Sequence, residues 1–245
     1  MTDTTDTSLP NGDGGNGDGG TRGQPVDRAQ LIHAGVVTAI LEHRLLPGTK
    51  LGEDDLGQIY GVSRTIVRAA LQSLAHEGIV VIEKNRGAFV AHPSVQDARE
   101  VFEARKLIEP EIARLAAHRR AAFGDDLAAH LAEERAALER GDDRAAIRLS
   151  GEFHLLVARK AGHRLYESLL RELVARSSLV ILLYRSRRAR VCGTDHHEVI
   201  AAAIEAGDAE RAAHLMVHHL DEIEDGLDLV EEEKAVSPLS DILGA

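Results

Sequence analysis

Thirty consecutive residues, GVSRTIVRAALQSLAHEGIVVIEKNRGAFV from Gly61 to Val90, constrain the fold of this chain more than any other segment. A tight turn at Tyr60-Gly61-Val62 leads into Ser63, whose hydroxyl is suited to accept from the free amides of a first helical turn. Val67, Ala70, Leu71 and Leu74 then recur at i, i+3, i+4 and i+7, one apolar stripe of a helix that Gly78 ends. Arg64, Thr65, Arg68 and Gln72 project from its other sides. Val80-Val81-Ile82 and Ala88-Phe89-Val90 read as two short strands around the polar tip Lys84-Asn85-Arg86-Gly87. A helix buried on one side and cationic on the other, followed by a basic-tipped hairpin, predicts a winged helix-turn-helix. Its helix would enter the major groove of DNA, and the hairpin would reach the flanking backbone or minor groove. The plainer alternative is an amphipathic helix and hairpin with solvated arginines. The ordered set of turn, capped helix, glycine stop and basic wing favours DNA.

A net charge of −11 looks adverse to a nucleic-acid partner, but it is unevenly spread. Residues 26–92 carry seven basic and seven acidic groups, and the acidity lies on either side of them. Local field governs phosphate contact, while the acidic bulk weakens non-specific binding. The single cysteine, Cys192, excludes an intrachain disulfide and points to the reducing cytoplasm, with the chain on the nucleoid. The first 25 residues are too polar for a signal peptide, and the aliphatic run Leu179 to Tyr184 is too short to cross a bilayer.

Residues 1–25, Gly-rich and almost without apolar side chains, are expected to be a disordered tail. The DNA-binding domain is expected over 26–92. Its first helix carries Leu31, Val36 and Ile40, and a short second helix runs from about Glu53 to Tyr60. Pro93 marks a boundary. From 95 to 233 the pattern is helical, opening with a capping box at Ser94 and Asp97 and an apolar face of Val101, Ile108, Ile112 and Leu115. Pro110 is expected to kink this helix or start a new segment. Further helices are expected at 125–140, 143–161, 164–188, 195–206 and 208–232, followed by a tail over 234–245. The fold class is therefore mainly α, a winged helix-turn-helix followed by an all-α helical bundle.

Thirteen histidines are present, and His33, His43, His76, His118, His130 and His214 suggest only surface or packing roles. His154, His197 and His219 differ, because each borders an apolar stripe on a separate helix. Imidazoles converging in a bundle interior make a shell for Zn²⁺ or Ni²⁺. Spacing alone leaves this open against hydrogen-bonded core histidines.

Leu46-Pro47-Gly48-Thr49-Lys50-Leu51, Leu56, GVSRTIVRAAL and GAFV resemble the DNA-binding domain of the GntR family of bacterial repressors over about residues 28–92. The resemblance implies base or phosphate contacts by Arg64 and Arg68, phosphate contacts by Ser63 and Thr65, and a wing tip of Lys84, Asn85 and Arg86 in the minor groove. Ile66 and Ala69 depart from the usual pattern. Asp54 stands where some relatives carry a DNA-contacting arginine, so no contact is assigned there. Glu103 to Ala117, Phe153-His154, His197 with Ile200 and Ala203-Ile204, and His219-Leu220 resemble the ligand-binding domain of the FadR subfamily, the FCD type. In its metal-binding members three histidines at these positions hold a divalent cation, and an aspartate or asparagine precedes the first by one turn. Here that residue is Ser150, leaving its place to a water or an effector oxygen.

The resemblance implies a homodimer on a two-fold operator, controlled by a small carboxylate effector beside the metal. Arg105 either pairs with that carboxylate or forms a salt bridge to Glu109 one turn on. Two rivals stand beside this regulator. One is a metal-dependent hydrolase built on the three histidines, which lacks a recognisable general-base motif. The other is a constitutive DNA-binding protein with an empty bundle.

Overall fold

The structure is a computed structural model and describes residues 27–186 and 194–230. The proposed tails at 1–25 and 234–245 lie outside these residues. The chain begins with α1 (Arg28–Leu41), β1 (Lys50–Leu51), α2 (Glu53–Tyr60), α3 (Arg64–His76), β2 (Val80–Glu83) and β3 (Gly87–Val90). Ile32, Val36 and Ile40 of α1 pack with Leu56 and with Val67, Ala70, Leu71 and Leu74 of α3. The α1 stripe is thus one residue out of the expected register at its start: Ile32 is fully buried and Leu31 is 50% exposed. Between α2 and α3, Gly61 takes φ 61, a left-handed turn that a β-carbon would strain.

The three strands lie in the order β1-β3-β2, antiparallel, with Lys50 opposite Phe89 and Glu83 opposite Gly87. The two-residue β1 was not legible in the sequence, being too short to show alternation. Ser63 occupies the N-cap of α3, but its hydroxyl makes no capping bond. Its carbonyl accepts from Ile66 and Val67 instead, at 3.0 and 3.2 Å. The exposed hydroxyl is thereby left available at a helix N-terminus, where anions bind favourably.

The second half is helical: α4 (Val95–His118), α5 (Asp126–Glu139), α6 (Asp143–Ala161), α7 (Arg164–Tyr184), α8 (Thr194–Ala206) and α9 (Ala209–Asp225). The capping box at Ser94 and Asp97 is present. Of the two outcomes expected of Pro110, it does not start a new segment. It sits buried inside the continuous α4, where it forgoes one amide and fills core volume. Both α7 and α9 end earlier than the sequence suggested, because the segments after them pair with each other. Arg185 and Leu227 form a β-bridge, Asp228 N donates to Tyr184 O at 2.7 Å, and Ser186 N donates to Gly226 O at 3.0 Å.

The two cores interlock through α7 and α1. Ala175 and Leu179 of α7 belong to the core beneath α3, while Leu41 of α1 belongs to that of the bundle. Arg176 of α7 donates from Nε to the carbonyl of Glu77, the C-cap of α3, at 2.7 Å. A cation at that end also complements the helix dipole. Gly78 follows at φ 72, and a β-carbon there would lie 2.6 Å from the Arg176 guanidinium.

Candidate functional site

On the N-terminal half, Ser63, Arg64, Thr65 and Arg68 are all exposed along the start of α3. The two arginines are not idle. Arg64 makes a two-pronged pair with Asp54, Nε to Oδ1 at 2.6 Å and Nη2 to Oδ2 at 2.9 Å. Arg68 Nε donates to Glu53 at 2.8 and 2.9 Å. Both acids lie in the first turn of α2, favoured there by its dipole. Any DNA contact by these arginines therefore exchanges one anion for another. At the wing tip Asn85 takes φ 63, a conformation asparagine tolerates, and Lys84, Asn85 and Arg86 are exposed. Arg86 pairs with Glu83 and lies over the Phe89 ring at 5.3 Å.

In the helical half, α6, α8 and α9 bring His154, His197 and His219 together at 2, 1 and 1% exposure. The Nε2 atoms of His197 and His219 are 3.1 Å apart, and those of His219 and His154 are 3.3 Å apart. Two buried carboxylates orient the rings from behind. Glu109 Oε2 lies 2.5 Å from His154 Nδ1, and both Glu134 oxygens lie 3.0 Å from His197 Nδ1. Phe153 stacks on His197 with ring centres 4.1 Å apart. Sequence reasoning missed Glu134. Its signal was faint: a carboxylate on the stripe of α5 shared by Leu127 and Ala137, both fully buried.

Burial lowers the pKa of all three histidines, His197 to about 3, so the rings are neutral near pH 7. Burial opposes the charge on Glu109, but Arg105 and His154 outweigh it and hold the carboxyl at about 2. Burial pushes Glu134 up to about 7, against the pull of nearby His130 and His154. With Glu109 ionised, His154 donates from Nδ1 and presents a bare lone pair at Nε2, and His197 does the same where Glu134 is ionised. His219 Nε2 can supply one proton between those two neighbours. Three converging imidazole nitrogens short of protons, each buried and two oriented by carboxylates, fit a divalent ion.

Beside the triad lies a cavity of about 680 Å³, lined among others by Arg105, Ser150, His154, Ser177 and His219. Of the two sequence readings of Arg105, the structure shows the salt bridge to Glu109. Arg105 is 3% exposed, and its Nε donates to Glu109 Oε1 at 2.5 Å while Nη1 donates to Ser177 Oγ at 3.0 Å. Its Nη2 is buried with no hydrogen-bond partner among the described residues. Ser150 stands on the same wall, one turn of α6 before His154.

Residues 29–90 match the family described as bacterial regulatory proteins, gntR family, and residues 100–222 match the FCD domain. The chain belongs to the GntR family of bacterial transcriptional regulators, with an FCD domain as its C-terminal half. It is 28% identical over 195 residues to a "Probable D-xylose utilization operon transcriptional repressor" of Paenarthrobacter nicotinovorans, covering 78% of this chain and 85% of that one. It is 27% identical over 223 residues to the transcriptional repressor RspR of Escherichia coli K12, covering 86% and 93%. A solved GntR regulator from Rhodococcus sp. RHA1 superposes with a TM-score of 0.68 at 25% identity, covering 81% of this chain and 96% of that one. The family and these relatives are transcriptional regulators and not enzymes, which removes the hydrolase reading. Among the described residues no helix is long and apolar enough to cross a membrane.

Proposed function

We propose that this regulator binds a two-fold operator as a homodimer, and that a small carboxylate in the cavity beside His154, His197 and His219 sets its operator affinity. One observation carries the reading. The three Nε2 nitrogens converge beside the cavity that His154, His219 and Arg105 line, and Arg105 Nη2 has no hydrogen-bond partner among the described residues. The triad would hold Zn²⁺ or Ni²⁺, which supplies positive charge and open coordination positions to a carboxylate oxygen. Arg105 would take the same carboxylate through a charge-assisted bond, and Ser150 would face it from α6. On DNA, Arg64 and Arg68 would contact bases or phosphates, Ser63 and Thr65 phosphates, and Lys84, Asn85 and Arg86 the minor groove. Two-fold symmetry would place the half-sites about one helical turn apart.

Control runs through α7. One side of this helix lines the cavity with Val174, Ser177, Ser178 and Ile181, and Ala175, Arg176 and Leu179 engage α1 and α3. An occupant that favours one setting of α7 favours one spacing of the reading heads, to the extent that it binds the two settings unequally.

The test uses the untagged full chain loaded with Zn²⁺ and an operator fragment captured from its own genome. A panel of small carboxylates is expected to contain a compound that shifts the operator Kd by about 5-fold or more, and the shift should vanish in Arg105→Gln. A regulator whose operator Kd no carboxylate moves is constitutive, and the proposal then fails.

A further inference from the structure

We propose that His43, a residue of the DNA-reading half, is a ligand contact of the effector cavity and carries its occupancy directly to α1. The inference rests on the effector reading above and adds the residue through which the reader senses the cavity.

The backbone singles His43 out. At the end of α1, His43 N donates to Ile40 O at 2.9 Å and Arg44 N to Ala39 O at 2.8 Å. This is a closure whose turning residue is usually glycine. His43 takes that place at φ 52, a left-handed conformation that few non-glycine residues adopt. A strained position held by a histidine invites a functional reason.

The side chain supplies one. His43 lines the effector cavity, between Leu41 of its own segment and Ser178 and Arg185 of α7 and its end. Its Nε2 is buried with no hydrogen-bond partner among the described residues. Burial and the nearby Arg185 keep the ring neutral, while a hydrogen bond to the Ser178 backbone works the other way. A neutral ring that gives its one N–H to Ser178 presents a lone pair at Nε2. That nitrogen needs a donor from the occupant. Arg105 Nη2 in the same cavity needs an acceptor. The pair of requirements describes a carboxylate that also carries a hydroxyl.

The position is suited to signalling. Two residues before His43, Leu41 packs in the bundle core, and Ile40 packs against the helix that reads DNA. Ser178, beside the ring on α7, donates from Oγ to Ile40 O at 3.4 Å. A ligand bonded to His43 therefore pulls on the end of α1 without passing through the bundle.

The test compares L-malate with succinate, and D-gluconate with hexanoate, on the Zn²⁺-loaded full chain. Binding is followed by calorimetry and operator affinity by titration. In the wild type at least one hydroxylated acid should bind about tenfold tighter than its deoxy counterpart, and should change operator affinity. His43→Asn and His43→Gly both accept the left-handed backbone, so loss of folding does not cloud the result. Both should bind hydroxylated and deoxy acids alike and lose the operator response, whereas Arg105→Gln should weaken the two kinds of acid equally. If Arg105→Gln abolishes binding while His43→Asn keeps both the wild-type preference and the response, His43 is no ligand contact and the effector site stands without it. If the wild type binds hydroxylated and deoxy acids equally, the inference also fails. If it binds none of the four, the inference falls, and the effector reading falls with it only when the wider carboxylate panel also leaves the operator Kd unmoved.

Discussion

Glu109→Ala is expected to lower the free energy of unfolding by about 3–5 kcal/mol, on the order of 10 °C in melting temperature for a chain of this size. Glu109 is buried at the junction of two groups, accepting from Arg105 Nε at 2.5 Å and facing His154 Nδ1 at 2.5 Å. Its removal strands the guanidinium of Arg105 in the interior, where the Ser177 hydroxyl is the one hydrogen-bond acceptor left to it among the described residues, beside the Phe102 ring at 5.7 Å. The cost is that of an uncompensated buried charge, not the net worth of the ion pair, which is small once desolvation is counted. The same carboxylate makes an acid-sensitive contribution. Its folded pKa, about 2, lies below the ordinary value of 4.5. The stabilisation is therefore complete above 4.5 and is lost as pH falls through about 2. Denaturant melts of wild type and variant at neutral pH check the prediction. A loss below about 1 kcal/mol would mean that Arg105 is satisfied some other way.

Arg68→Ala is expected to cost about 1–3 kcal/mol on the specific operator and to relax preference at one base pair. The side chain is exposed on α3, and Glu53 holds it at 2.8 Å. An exposed pair of this kind is worth little in stability, so the folded state should be nearly unchanged while DNA affinity falls. Binding isotherms on operator and random duplexes separate the possibilities. Equal losses on both would make Arg68 a phosphate contact, and no loss on either would contradict the assignment of α3 as the recognition helix.

The recognition helix and wing were legible because each is local. Val67, Ala70, Leu71 and Leu74 are the buried face of α3, and the polar tip at Lys84 to Arg86 joins β2 and β3. The three histidines were legible for a related reason, since each borders an apolar stripe that turns it inward. What the sequence hid is non-local. Glu134 meets His197 across 63 residues, and no periodicity on α5 names its partner. The early ends of α7 and α9 come from pairing between Arg185 and Leu227, two segments that look like helix when read singly. His43 resembled a surface histidine because its meaning depends on a cavity assembled by the other half of the chain.

We propose above all that His154, His197 and His219 form a metal site beside the cavity lined by Arg105. Elemental analysis of protein purified without a His-tag or chelator, joined to the melting temperature before and after adding Zn²⁺ or Ni²⁺, tests it most directly. Near-stoichiometric divalent metal is expected, with a melting temperature that rises on reloading stripped protein, and both are lost when any of the three becomes alanine. Protein that carries no metal, and whose melting temperature neither ion moves, would contradict it.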